Sequence, residues 1–293
     1  MQTPPNKNAQ FDQKYTILER IASGGFGMIC RGKHKRTQQP VAIKFEKNNE
    51  YNLLIHEATI LNYLNENKIA NIPKIHWFGN YYSHTDINTG LNSAEMLSYK
   101  CIVQPFYNKS SAEYFKELLK LDAAIRIKHT KTFFGKCVDI LKCVHNEYVI
   151  HRDIKPQNFM VSADNNEPIL IDFGFSTFYV NKNKAHVPNT QHISIVGSPK
   201  YMSINLHNNE TPSRRDDIIS LIYMFIEIIF CRVLPWNGDI GDLNKIREQK
   251  QIDNLAENYI AILPFLKYVY NIKYDNAPNY NYIKELISCN CDL

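Results

Sequence analysis

Ile150-His151-Arg152-Asp153-Ile154-Lys155-Pro156-Gln157-Asn158, followed after a short gap by Ile171-Asp172-Phe173-Gly174, is the stretch around which the chain is organised. Its side chains suit phosphoryl transfer. A carboxylate at Asp153 can accept the proton of an attacking hydroxyl, and an ammonium at Lys155 can neutralise charge on the moving group. Asn158 and Asp172 offer oxygen to magnesium, a hard cation that prefers such ligands. Any tripeptide arises by chance, so Asp172-Phe173-Gly174 alone would carry little. The nine-residue stretch with that tripeptide just downstream is a far more specific signal than a polar loop between strands.

The two segments resemble the catalytic loop and the metal-binding turn of protein kinases. The resemblance implies an α+β, bilobal fold, with a small β-rich N-lobe carrying one main helix and a larger, mainly helical C-lobe. It divides the chain into a flexible arm over 1–13, an N-lobe over 14–106 with a polar insertion at about 80–98, and a C-lobe over 107–293. It implies ATP and Mg2+ as cofactors, catalytic roles for Asp153 and Lys155, and metal binding by Asn158 and Asp172.

Other segments supply the remaining parts. Tyr15-Thr16-Ile17-Leu18 reads as a strand, then comes Ile21-Ala22-Ser23-Gly24-Gly25-Phe26-Gly27, then a second strand at Met28-Ile29-Cys30-Arg31. Glycines let a hairpin backbone close over phosphates, so that amides meet the oxygens. A glycine-rich hairpin alone is more often only a tight turn. Here Ala22 stands at the first glycine of the kinase pattern, with Gly24 and Gly27 in the other two places. Val41-Ala42-Ile43-Lys44 alternates as a strand and matches the one that carries the phosphate-binding lysine. Leu53, Leu54, Ala58, Leu61 and Leu64 recur at helical spacing, and Glu57 within that helix is the expected ion-pair partner of Lys44, with Glu50 as a competitor. Lys44 and Glu57 complete the catalytic set. The nucleotide-binding residues implied are Ile21, Ala22, Ser23, Gly24, Gly27, Ile29, Ala42, Lys44, Pro105 and Tyr107. Gln104 takes the position behind the adenine, and Pro105-Phe106-Tyr107 the hinge. Lys33-His34-Lys35-Arg36 reads as a solvated hairpin turn.

Residues 80 to 98 are polar with a turn signal at Asp86-Ile87-Asn88-Thr89-Gly90, and are expected to form a mobile surface loop, with a lineage-specific docking site as the sharper alternative. Ser110 or Ser111 caps a short helix, and a long helix is expected over about Asp122 to Asn146. His129 and His145 on it read as surface or satisfied core histidines. Ile218 to Leu234 is the most apolar run. Glu227 and Arg232 interrupt it, and it falls short of the roughly 20 apolar residues that span a bilayer, so a buried helix is expected.

Lys155 follows the serine/threonine pattern. Gly197-Ser198-Pro199-Lys200-Tyr201-Met202-Ser203-Ile204-Asn205, with Ser213-Arg214-Arg215-Asp216-Asp217 further on, is similar to the casein kinase 1 family. So are Leu234-Pro235-Trp236-Asn237-Gly238 and Pro278-Asn279-Tyr280-Asn281-Tyr282. In that family an aspartate placed as Asp217 orients the catalytic loop. Members commonly favour acidic or phosphorylated substrates, read by basic residues. Thr190 and Asn244 stand where two of those would be, while Lys200, Lys245 and Arg247 remain nearby. Thr190, Ser194 and Ser198 are hydroxyls of the activation segment.

The whole composition fits this. The chain has 293 residues and a net charge of +5, too mild to argue for nucleic acid or a membrane. Its seven cysteines are scattered without a paired zinc spacing and are expected to be buried free thiols; Cys289-Asn290-Cys291 has the form of a metal or redox pair, but two ligands at a terminus more often mean nothing. Met1 to Pro5 has no apolar signal region and no myristoyl glycine. The expectation is an intracellular monomer, in cytoplasm or nucleus, acting on protein Ser/Thr acceptors without nucleic acid or membrane segment. A catalytically impaired scaffold of the same fold is the alternative, motivated by Ala22 and Gln104.

Overall fold

Alternating apolar residues build the sheet of the first of two compact units. The computed structural model describes residues 10–11, 14–24, 27–47, 53–86, 92–191, 196–239 and 241–289. The first unit comprises residues 1–68, 72–108 and 172–174, and the second 69–71, 109–171 and 175–293.

In the first unit, strands β1 (Gln10–Phe11), β2 (Tyr15–Gly24), β3 (Gly27–His34), β4 (Pro40–Lys47), β5 (Trp77–Thr85) and β6 (Asn92–Pro105) form an antiparallel sheet in the order β1-β2-β3-β4-β6-β5. Met28 and Cys30 of β3 and Val41, Ile43 and Phe45 of β4 point into one core, together with Tyr15, Ile17, Tyr81 and Tyr99. The alternate residues Ile29, Ala42 and Lys44 are half-buried, as the period-two geometry of strands requires. Helix α1 (Leu53–Glu66) buries Leu54, Glu57, Ala58, Leu61 and Leu64. The expected helix start at Tyr51, the competitor Glu50 and most of the 1–13 arm lie outside the described residues, while Gln10 and Phe11 of that arm pair with β2.

The expectation of a loop over 80–98 is corrected. β5 and β6 stay paired from Trp77↔Val103 out to Thr85↔Asn92, and residues 87–91 between them lie outside the described residues. The reason is aromatic. Tyr81 packs against Tyr99 and against Phe45, ring centroids 6.3 and 5.4 Å apart, so the ribbon is anchored in the core.

In the second unit, β7 (Lys109–Ser110), β9 (Phe159–Val161) and β10 (Pro168–Leu170) form one small sheet, and β8 (Val149–Ile150) pairs with β11 (Thr177–Phe178). Ser110 caps α2 (Ser111–Leu118) in a reciprocal box with Glu113. Asp122 caps α3 (Ala123–Asn146), as the sequence pattern predicts. Helices α4 (Ile204–His207), α5 (Arg214–Ile229), α6 (Leu243–Gln249), α7 (Ile252–Asn258), α8 (Leu263–Tyr270) and α9 (Tyr280–Cys289) follow. α5 is buried on nearly every side, which explains the largely apolar run from Ile218 onward. Among the described residues no helix is long and apolar enough to cross a membrane.

The cysteine expectation holds in part. Cys30, Cys101 and Cys137 are buried free thiols, but Cys143, Cys231 and Cys289 are exposed free thiols. Cys143 falls on the outer face of α3, and the other two lie at or just past helix ends. Cys291 lies outside the described residues.

Candidate active site

The first unit assembles one charged cluster. Lys44 on β4 donates to Glu57 Oε1 of α1 at 2.6 Å and to Asp172 Oδ1 at 3.2 Å. Burial pulls the Lys44 ammonium down, but the two carboxylates outweigh it and its pKa stands above the usual lysine value. Glu57 is oriented by its helix, and the helix is held by Glu46, whose carboxylate accepts the amides of Leu53 and Leu54 at 3.2 and 2.8 Å. Sequence reasoning missed Glu46; its place two residues beyond Lys44 is the only signal for it. Gln104 is buried and its amide reaches Glu57 Oε1 at 3.5 Å.

Asp172 has φ +68°, a left-handed conformation rare outside glycine. Ile21, Ala22 and Ser23 are exposed. Ala22 pairs in the ladder with Ile29, just past a register shift. Gly24 pairs with Gly27, while Gly25 and Phe26 lie outside the described residues. Gly27 has φ +144°, and a Cβ there would meet the Phe45 carbonyl oxygen at 2.0 Å, so glycine is required. Pro105 pairs with Val41 at the end of β6, and Tyr107 lies just beyond it.

The second unit assembles a loop held by its own backbone. Asp217, near the N-terminus of α5, accepts the His151 amide at 2.7 Å and the Arg152 amide at 2.9 Å. His145 Nε2 lies 3.0 Å from the same carboxylate, and His145 Nδ1 lies 2.8 Å from the Tyr280 hydroxyl. His145 is therefore a satisfied core histidine. Burial opposes ionisation of Asp217, yet the hydrogen bonds from His145 and the loop hold its carboxyl below the usual range.

Asp153 is only 4% exposed and fully engaged. Oδ2 accepts Lys155 Nζ at 2.6 Å and Asn158 Nδ2 at 3.0 Å. Oδ1 accepts the Ser198 hydroxyl at 2.8 Å and the Ser198 amide at 3.0 Å. Lys155 Nζ also reaches Ser198 Oγ at 3.0 Å. Ser198, read from sequence only as a loop hydroxyl, thus belongs to the Asp153 cluster. Gly197 before it has φ +105°, and a Cβ would sit 2.6 Å from the Arg152 carbonyl oxygen. The close approach of this segment to the catalytic loop depends on that glycine.

The two sequence marks around the activation segment are each other's partners. Ser203 Oγ and Asn205 Nδ2 donate to Asp216 Oδ1 at 2.6 and 3.0 Å. Of the basic residues nearby, Lys200 donates to Glu227 at 2.6 Å, which also accepts the Tyr201 hydroxyl at 2.5 Å. Lys245 lies 3.7 Å from Asp239. Arg247 and Asn244 are exposed, and the Thr190 amide donates to Thr211 Oγ1 at 2.8 Å. Ser194 lies outside the described residues.

A lysine–carboxylate cluster on a β-sheet unit and an aspartate–lysine–asparagine loop on a helical unit are the marks of a protein kinase, and the protein kinase domain family matches residues 15–289. A probable casein kinase I homolog of Encephalitozoon cuniculi is 30% identical over 288 residues, covering 93% of this chain and 83% of that protein. Casein kinase I homolog 2 of Schizosaccharomyces pombe is 31% identical over 93% of this chain and 61% of its own length. The chain belongs to the casein kinase I family of protein serine/threonine kinases.

Proposed function

We propose that the chain is a catalytically active kinase that transfers the γ-phosphate of ATP to Ser/Thr hydroxyls of proteins, with magnesium. The observation that carries this is the Asp153 carboxylate, held by Lys155, Asn158 and Ser198 at hydrogen-bond distance. In this reading Asp153 orients the acceptor hydroxyl and takes its proton, and Lys155 steadies the transferred group. Lys44, fixed by Glu57, binds the α- and β-phosphates as a point charge. Ile21, Ala22, Ser23, Gly24, Gly27, Ile29 and Ala42 line the nucleotide, and Pro105 and Tyr107 meet the adenine through backbone groups.

Each donor, taken by itself, suits magnesium. Asp172 offers a carboxylate whose side chain is 43% exposed. Asn158 spends its amide nitrogen on Asp153, which leaves its oxygen for a cation. Few protein ligands are needed, because magnesium at such sites completes its shell with phosphate and water. When bound it supplies charge neutralisation to the phosphates.

Substrate choice departs from the family habit in this reading. Lys200 is neutralised by Glu227 and Lys245 approaches Asp239, and Thr190 and Asn244 carry no charge, so a phosphorylated or acidic acceptor is left mainly with the exposed Arg247. The test is transfer of labelled γ-phosphate from magnesium-ATP to casein and to acidic, basic and pre-phosphorylated peptides, with Asp172→Ala as control. Transfer that vanishes in the control supports the reading, and ATP binding without transfer would favour the scaffold instead.

A further inference from the structure

Lys250 follows α6 and is completely buried, a rare place for a lysine. Its Nζ lies 2.7 Å from the Pro199 carbonyl oxygen, 2.7 Å from that of Met202 and 3.1 Å from His207 Nε2. The rings of Tyr223 and Trp236 flank the nitrogen, each centroid 5.0 Å away. Its own carbonyl accepts the Tyr270 hydroxyl at 2.8 Å, so the residue is tied at both ends.

Three carbonyls of one short segment are therefore engaged from behind. Lys250 holds Pro199 and Met202, and Trp236 Nε1 donates to the Lys200 carbonyl at 2.7 Å. The front of that segment is Ser198, whose amide and hydroxyl both reach Asp153. We propose that Lys250 is a positioning residue for the protein acceptor: by clamping Pro199 and Met202 it sets the 198–202 segment against Asp153.

The chemistry suits a fixed clamp. Hydrogen bonds in a dry interior are strong and costly to lose. Burial draws the Lys250 amine well below the usual lysine range, and burial, followed by the Lys250 charge, pushes the His207 imidazole down to about 4. The clamp survives in either state of the amine. An ammonium meets three acceptors with three N–H groups. A neutral amine keeps two for the carbonyls and turns its lone pair to a His207 Nε2–H.

The inference rests on the kinase reading above, and its test separates the two. Lys250→Met keeps the length and the apolar contact with both rings but deletes every donor. In steady-state transfer to casein, kcat/KM for the acceptor is expected to fall about tenfold or more, the scale of one or two lost buried hydrogen bonds. KM for magnesium-ATP is expected to stay within about twofold, and Lys250→Arg, which retains donors, to recover part of the loss. Equal loss toward both substrates, or none toward the acceptor, overturns the proposal. Should Lys250→Met not fold, Trp236→Phe removes the bond to the Lys200 carbonyl while keeping an aromatic ring beside Tyr223. An acceptor-selective loss of about threefold or more is then expected, and unchanged acceptor kinetics overturns it. A wild-type chain that transfers no phosphate refutes the kinase reading instead. Hydrogen exchange then tests the clamp directly, because the Tyr201 and Met202 amides both donate to the Ser198 carbonyl. Exchange there should quicken about tenfold or more in Lys250→Met relative to wild type, and equal exchange overturns the clamp.

Discussion

The two units hold their key carboxylates by opposite means. In the first, Glu57 and Asp172 share one ammonium, whose single positive charge offsets only part of their two negative ones. In the second, Asp217 is held mainly by amides of the loop it supports, and Asp153 by an amide, a hydroxyl, an asparagine and a lysine. The difference teaches where each is vulnerable. A charge cluster fails when one charge is removed, because a buried ion loses its partner. A backbone-held loop tolerates loss of charge and fails when an acceptor is misplaced.

The largest expected effect lies on the catalytic loop. Asp153→Asn should lower kcat about a thousandfold while magnesium-ATP affinity stays close to wild type, measured by single-turnover transfer and by calorimetric titration. One amide oxygen remains for its four donors, but no fully buried ion is stranded, so its loss of stability should stay below that of Lys44→Met. Turnover equal to wild type would remove Asp153 from the mechanism.

Lys44→Met should behave in the contrary way. It leaves Glu57, only 3% exposed, without its cation. A stability loss of about 3 kcal/mol is expected in urea unfolding, together with weakened ATP binding. If Lys44→Met and Asp153→Asn destabilise equally, the contrast between the units is wrong.

Asp217→Asn comes next. An amide offers one acceptor oxygen where the carboxylate offers two, so His151 and Arg152 cannot both be held as before. Turnover should drop about tenfold to a hundredfold, with faster amide exchange at both residues. Unchanged exchange would mean that the loop is held by its other contacts.

The smallest effect is a pH dependence of stability. His207 has its pKa lowered to about 4, by burial first and then by Lys250. The unfolded chain, with an ordinary histidine, takes up the proton first as pH falls. The stability linked to neutral His207 is therefore complete above about pH 6.5 and is lost as pH falls toward 4. His207→Gln should flatten that part of the urea-midpoint profile, and an unaltered slope would assign it to other groups.

Much of the site was legible because its parts are local in sequence. Asp153, Lys155 and Asn158 share one short loop, and Lys44 announces itself within an alternating strand. Glu57 emerged from helical spacing. The ribbon over 80–98 does not show in the sequence because its polar residues mask Tyr81, whose burial beside Tyr99 depends on a core that local composition does not reveal. Cys143 is exposed because an apolar-looking helix still has an outer face, and Cys231 and Cys289 because they fall past or at a helix end.

By itself, the sequence determined the residue types that carry the chemistry, the elements on which they ride and the family. Only the tertiary structure decided who meets whom. Ser198 lands on Asp153, Ser203 and Asn205 on Asp216, Lys200 on Glu227 and Lys250 on two carbonyls of the 198–202 segment. Strand and helix periods dictate which neighbours share a face. Partners far apart along the chain are instead selected by packing and by the demand that every buried polar group find a mate.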